Sequence, residues 1–329
     1  MPGARGAVAS LEARIVHSGP PASGTIVMGT GILSIGWSLD GHETLSRLLL
    51  AVAAAIWIGL AVLLCVRVFA DGAQVLDEAN HPAALTGVAG TAVLGTACSL
   101  LGWDRTAIVL LAIAFCLWLL LVPNLLRHWT TPTVGTSFML DVSTQSLAAL
   151  GATLALPERA EWLAVASLVL LLVGLAAYLF VLFSFDFHQL VAGHGDHWVA
   201  GGALAAATLA CGKVAVATNG FTSLRGLGDT LSLGALILWV LAIAWLPFLV
   251  VFEIVAPRPR YDVRRWSTVL AVGMYAACSF VVGDLREIQA LIDFARTWIW
   301  VAAAVWAVVF VASCAAARER LAGRPGRTQ

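Results

Sequence analysis

Stretches of apolar residues, each about as long as a helix that crosses roughly 30 Å of hydrocarbon, follow one another from residue 24 to residue 317. Ten are counted, at 24–40, 46–70, 84–103, 105–126, 134–156, 161–184, 198–219, 229–256, 266–284 and 292–317. A backbone in lipid must satisfy its own hydrogen bonds, so a chain of this kind is expected to fold as an all-α integral membrane bundle. The breaks between the stretches are short and carry turn and charge signals: Asp40-Gly41, Asn80-His81-Pro82, Trp103-Asp104-Arg105, Pro157-Glu158-Arg159, Gly193 to Asp196, Arg225 to Asp229, and Pro257 to Pro259. They leave no room for a soluble domain. The expected organisation is an N-terminal tail at 1–23, a ten-helix domain at 24–317 and a C-terminal tail at 318–329.

Composition narrows the function classes. Of 329 residues, 60% are hydrophobic and 12% charged, against about 25% charged in soluble domains. The 19 basic and 19 acidic residues cancel, which leaves no basic field for nucleic acid. Cys65, Cys98, Cys116, Cys211, Cys278 and Cys314 all fall inside apolar runs without a CxxC spacing and read as small membrane-buried residues. Residues 1–23 carry Arg5, Glu12 and Arg14 and no convincing cleavage site, so no signal peptide is expected.

Orientation follows from the loops. Arg5, Arg14, Arg67, Arg127, Arg258, Arg260, Arg264, Arg265 and the arginines at 318, 320, 324 and 327 collect on the side of the termini, while Arg47, Arg105, Arg159, Arg225, Arg286 and Arg296 lie opposite. This imbalance predicts cytoplasmic termini and a multi-pass protein of a bacterial-type inner membrane. Trp103, Trp129, Trp162, Trp198, Trp245, Trp266 and Trp298 stand near predicted helix ends, where an amphipathic ring suits the headgroup layer.

The helices alternate in character. Even-numbered stretches are bulky, as in LLLAVAAAIWIGLAVLLCV and AIVLLAIAFCLWLLLV; odd-numbered ones are small and polar, as in SGTIVMGTGILSIGW, ALTGVAGTAVLGTACSLLG, GTSFMLDVSTQSLAALGATLA and GGALAAATLACGKVAVATNG. Leucine-rich surfaces suit acyl chains, and small residues suit close packing or a polar path. Five hairpins around a central pore, odd helices inside and even helices outside, is the arrangement this predicts. Gly24 with Gly31, Gly29 with Gly36, and Gly95 with Gly102 repeat every seven residues, which aligns each pair to within about 20°. On the fifth helix Ser137, Asp141, Thr144 and Ala148 form a stripe with Gln145 beside it, and a polar stripe does not face lipid.

Lys213, the only lysine, lies within the seventh stretch. An ammonium at that depth snorkels, pairs or serves an anion. Asp141 is offset from it by roughly 10 Å along parallel helices, too far for a direct pair, so the acid is expected to be hydrated or neutral. The stretch Asp186-Phe-His188 to His197 matches no zinc spacing and reads as a solvated connector. No phosphate loop, nucleophile elbow or HExxH occurs, so no catalytic residue, cofactor or metal is expected.

The segments SGTIVMGTGILSIG at 23–36, HPAALTGVAGTAVLGTA at 81–97, GTSFMLDVSTQSLAALGA at 135–152 and RRWSTVLAVGMYAACSF at 264–280 resemble the tellurite-resistance/dicarboxylate transporter family, which also contains the plant guard-cell slow anion channels. The resemblance spans about 24–317. It implies a pore ringed by five inner helices, commonly a homotrimer with one pore per subunit, and passage of anions such as chloride, nitrate or dicarboxylates. It also implies a phenylalanine gate on the ninth helix, where this sequence has Leu270 and Ala271. Phe280 lies about 15 Å further along and off that face, so leucine is the expected constriction, acting by dewetting.

The leading expectation is transport of small anions, chloride-like or nitrate-like ions or C4-dicarboxylates such as malate, through a gated pore. Leu270, Ala271, Lys213, Asp141, Gln145, Thr144, Ser137, Gly31 and Gly95 are its candidate pore or gate residues. The alternatives are a proton-coupled dicarboxylate transporter with Asp141 as carrier, a tellurite-related efflux protein, and an intramembrane enzyme or sensor. The expected partners are the lipid bilayer and small anions.

Overall fold

The computed structural model describes residues 23–186, 196–255 and 261–321. Residues 1–22 and 322–329 of the two expected tails, the His188 to His194 part of the connector and Pro257 to Pro259 lie outside the described residues. Ten long helices form α1 (Gly24–Leu39), α2 (Glu43–Ala70), α3 (Leu85–Leu100), α4 (Asp104–Arg127), α5 (Met139–Ala155), α6 (Glu161–Phe183), α7 (Asp196–Gly220), α8 (Arg225–Val255), α9 (Arg265–Leu285) and α10 (Gln289–Leu321). Eight of them, with the turn Pro82–Ala84 counted into α3, are long and apolar enough to cross a membrane. The others are α1, of 16 residues, and α5, of 17, which the 3-10 turn Gly135–Phe138 precedes. The protein is therefore an all-helical, multi-pass membrane protein.

Short turns close the hairpins. Gly41 and Gly102 take positive φ between α1 and α2 and between α3 and α4, while Arg159 and Glu287 do the same between α5 and α6 and between α9 and α10. Left-handed geometry is free for glycine and costs other residues about 1 kcal/mol, so the two latter turns are held by the hairpins they join. Of the sequence breaks, Asp40-Gly41 and Pro157-Glu158-Arg159 fall on these turns, whereas Asp104-Arg105 and Arg225 to Asp229 lie in the first turns of α4 and α8. The breaks miss a short helix, Gly72–Glu78, in the α2–α3 connection; Asp71 caps it by accepting from Gln74 N, and Arg67 of α2 pairs with Glu78 at its end. They also end α10 too early, since it runs on through Arg318 and Glu319.

The helices form two concentric layers. Each odd-numbered helix packs against the next, α1 on α3, α3 on α5, α5 on α7, α7 on α9 and α9 back on α1, so the inner layer is a closed ring. Each even-numbered helix lies outside against its hairpin partner. Burial follows: the most apolar windows of α3, α7 and α9 are 78%, 89% and 89% buried, whereas those of α2, α4, α6, α8 and α10 range from 11% to 28%. Outer faces present Ile58, Val62, Leu120, Leu172, Ile237 and Val308 to the surroundings, as lipid contact requires.

Glycine sets the spacing of the ring. A Cβ at Gly24 would meet the Thr86 backbone oxygen at 2.5 Å, and one at Gly31 would meet Val93 Cγ1 at 2.8 Å. The seven-residue repeat thus aims both glycines at α3, in parallel register. Gly202 against Ala271 and Gly212 against Val281 set the same parallel register between α7 and α9.

Indoles of the outer layer tie it to the inner one. Trp57 Nε1 of α2 donates to Thr91 Oγ1 of α3 at 2.9 Å, Trp118 of α4 to Thr144 of α5 at 2.9 Å, Trp239 of α8 to Ser279 of α9 at 2.7 Å, and Trp306 of α10 to Thr30 of α1 at 3.1 Å. Each bond reaches from one hairpin to the inner helix of the next. The tryptophans expected at the interface divide. Trp103 and Trp162 are exposed, whereas Trp266 is fully buried and donates to Ser313, and Trp198 is buried and donates to Glu253.

Candidate functional site

A small cavity lies on the axis of the inner ring. Every inner helix contributes to its wall: Ile32 and Ile35 from α1, Val93 and Thr96 from α3, Gln145, Ser146 and Ala149 from α5, Ala206 and Leu209 from α7, and Met274 from α9. About 10 Å³ is open to the centre of a water-sized sphere, roughly the space of one water molecule. The axis is therefore occluded at this level by apolar side chains. Only Thr96, Gln145 and Ser146 bring polar atoms to the wall, and Thr96 and Ser146 turn their hydroxyls back onto Ala92 O and Val142 O of their own helices.

Helical spacing extends this wall in both directions. Leu270 stands one turn before Met274, rotated by about 40°, and is 3% exposed. Lys213 stands one turn after Leu209 and about 20° from the line of Ala206. From Lys213 onward the same face of α7 opens, with Val216 41% exposed on a helix otherwise almost wholly buried. Asp284 at the end of α9 lies within electrostatic reach of the ammonium.

The residues singled out in the sequence are dispersed by the fold. Of the nine, Gln145 lies on the cavity wall, and Leu270 and Lys213 stand one helical turn from wall residues of their own helices. Ala271 is buried beneath Gly202 of α7, where a Cβ on the glycine would be 3.0 Å from its own. Gly31 and Gly95 are filled by Val93 and by Leu150 and serve helix packing. Thr144 accepts from Trp118 and donates to Leu140 O, so it faces the outer layer. Ser137 Oγ accepts from Val134 N and closes the turn before α5. Asp141 is rotated by about 40° from Gln145, 80° from Ala149 and 140° from Ser146, and lies within electrostatic range of Tyr178 on α6.

The reason is geometric. An apolar helix of small residues shows no single polar face, so the rotation that chooses which of them meets the axis is fixed by neighbours. All the wall residues except Gln145 were missed by sequence reasoning, Ile32, Val93, Leu209 and Met274 among them. The available signal was their spacing from the glycines: once Gly31 and Gly273 are used for packing, Ile32 and Met274 beside them turn toward the axis.

The family model described as voltage-dependent anion channel matches residues 19–314 of the chain. No curated protein matches it.

Proposed function

Because this chain belongs to the voltage-dependent anion channel family, we propose that it passes small anions along the axis of its inner ring. The observation that carries this reading is the axial cavity to which all five inner helices contribute. Ile32, Val93, Leu209 and Met274 narrow it as a hydrophobic gate, since an apolar constriction of about one water's width excludes a hydrated ion until it widens. Leu270, one turn away, forms a second constriction.

Lys213 supplies the positive charge. The five inner helices run in parallel, so their carbonyl ends gather at the Lys213 mouth and would repel anions. The ammonium offsets that field where the path opens. In this reading α1 and α5 also cross the membrane, making ten crossings, and an even number leaves both termini on one side, the cytoplasmic side by the arginine count. The resemblance to trimeric relatives extends the proposal to a homotrimer with one path per subunit.

The substrate follows from the width. Chloride or nitrate requires far less widening of this cavity than a C4-dicarboxylate, so small monovalent anions are the favoured cargo. Flux assays on purified protein in liposomes, run with chloride, nitrate and malate, with and without a pH gradient, separate the readings. Voltage-driven chloride or nitrate flux supports the proposal. Malate flux that requires the pH gradient replaces it with coupled transport, and no flux of any anion refutes it.

A further inference from the structure

The α5–α6 seam behind the cavity wall holds buried polar atoms, and Gln145 belongs both to the wall and to the seam. Gln145 Nε2 donates to the carbonyl oxygen of Leu171 on α6 at 3.3 Å. A backbone carbonyl only accepts, so the amide nitrogen, and not Oε1, faces α6. Oε1 is left buried and without a donor among the described residues. One turn earlier on α5, both carboxyl oxygens of Asp141 are buried without a partner among the described residues. Tyr178, one turn beyond Gly174 on α6, has a buried hydroxyl that meets no partner in full hydrogen-bond geometry among the described residues, the Trp245 indole being its nearest donor. Exposure is 0% at Asp141 and Gln145 and 5% at Tyr178.

These groups are neighbours. Gln145 stands within reach of the Asp141 carboxyl, and Tyr178 within its electrostatic range. Beyond Tyr178 lie Trp245 of α8 and Tyr275 of α9, and the Tyr275 hydroxyl is already committed to Ala242 O at 2.9 Å. Among the described residues no basic side chain forms an ion pair with Asp141.

Counting donors and acceptors decides the charge state. If Asp141 is ionised, the Tyr178 O–H and the second N–H of Gln145 both go to the carboxylate, and Gln145 Oε1 remains a buried orphan beside a buried, unpaired charge. One added proton closes the set. A carboxylic acid and a primary amide pair through two hydrogen bonds: the acid O–H donates to Oε1, and Nε2–H donates to the acid carbonyl oxygen. Tyr178 O–H then donates to the remaining lone pair. We infer that Asp141, Gln145 and Tyr178 form a proton-binding site in the α5–α6 seam, beside the axial cavity, with Asp141 held as a neutral acid. The bound species is a proton taken from water, and no other bond changes.

Infrared spectroscopy of the full-length protein in lipid at neutral pH tests this. The expected result is a protonated-carboxyl stretch that shifts in heavy water and is absent in Asp141→Asn. Gln145→Leu should keep the band and move it to higher frequency, because the acid loses its amide partner. Should Asp141→Asn not fold, the Gln145→Leu shift alone supports the site. Absence of any acid band from the wild-type protein overturns the inference, as does a band that neither variant alters. Saturable stabilisation by sodium without an acid band would make it a metal-cation site instead, and overturns it too.

Discussion

Trp118 Nε1 on α4 donates to Thr144 Oγ1 on α5 at 2.9 Å, across the boundary between one hairpin and the next. The same indole-to-hydroxyl bond recurs at Trp57, Trp239 and Trp306, so outer helices bind neighbouring hairpins rather than merely coating the ring. Trp118→Phe keeps most of the apolar surface and removes the donor. It is expected to lower stability by about 1 kcal/mol, the usual worth of such a bond. Reversible unfolding in mixed micelles measures this, and anion preference should not change.

The gate makes a distinct prediction. Met274→Ala empties part of the axial constriction, so anion conductance in planar bilayers should rise several-fold. Leu270→Ala should raise it as well, since Leu270 lies on the same face one turn away. Ala271→Leu is expected to behave differently: its side chain would enter the α7–α9 contact at Gly202, and the readout is reduced yield of folded protein.

How much of this was legible beforehand is clear from particular residues. Alternating bulky and small helices place Leu120 and Leu172 outside and Ala206 and Val93 inside, because burial in this fold is a property of whole helices. Rotation about each helix axis was not legible. Asp141 looked like a pore residue because it shares a polar stripe with Ser137 and Thr144, yet that stripe is used up by a turn, an indole and the α6 seam. The partners Trp306 and Thr30 are 276 residues apart, so no local pattern announces their bond.

Lys213 tests the electrostatics of the mouth. Lys213→Gln should reduce anion-over-cation preference about fivefold, the effect of removing roughly 1 kcal/mol of attraction at a hydrated site. Lys213→Arg should restore it. Reversal potentials under a chloride gradient give the ratio.

Gly24 tests the register of the ring. A methyl there collides with backbone of α3 at Thr86, which has no flexible end to yield. Gly24→Ala is therefore expected to cost about 1–3 kcal/mol, seen as a lowered melting temperature. Gly59→Ala, where a Cβ meets nothing within 4 Å, is the matched control and should be neutral or slightly stabilising.

The axis itself can be probed at one atom. Met274→Cys, in a background with Cys65, Cys98, Cys116, Cys211, Cys278 and Cys314 replaced by serine or alanine, places a single reactive thiol on the cavity wall, and a charged methanethiosulfonate reagent applied during conduction should modify it and block the current. Complete labelling, verified by mass, with anion current unchanged would contradict a path through the centre of the inner ring.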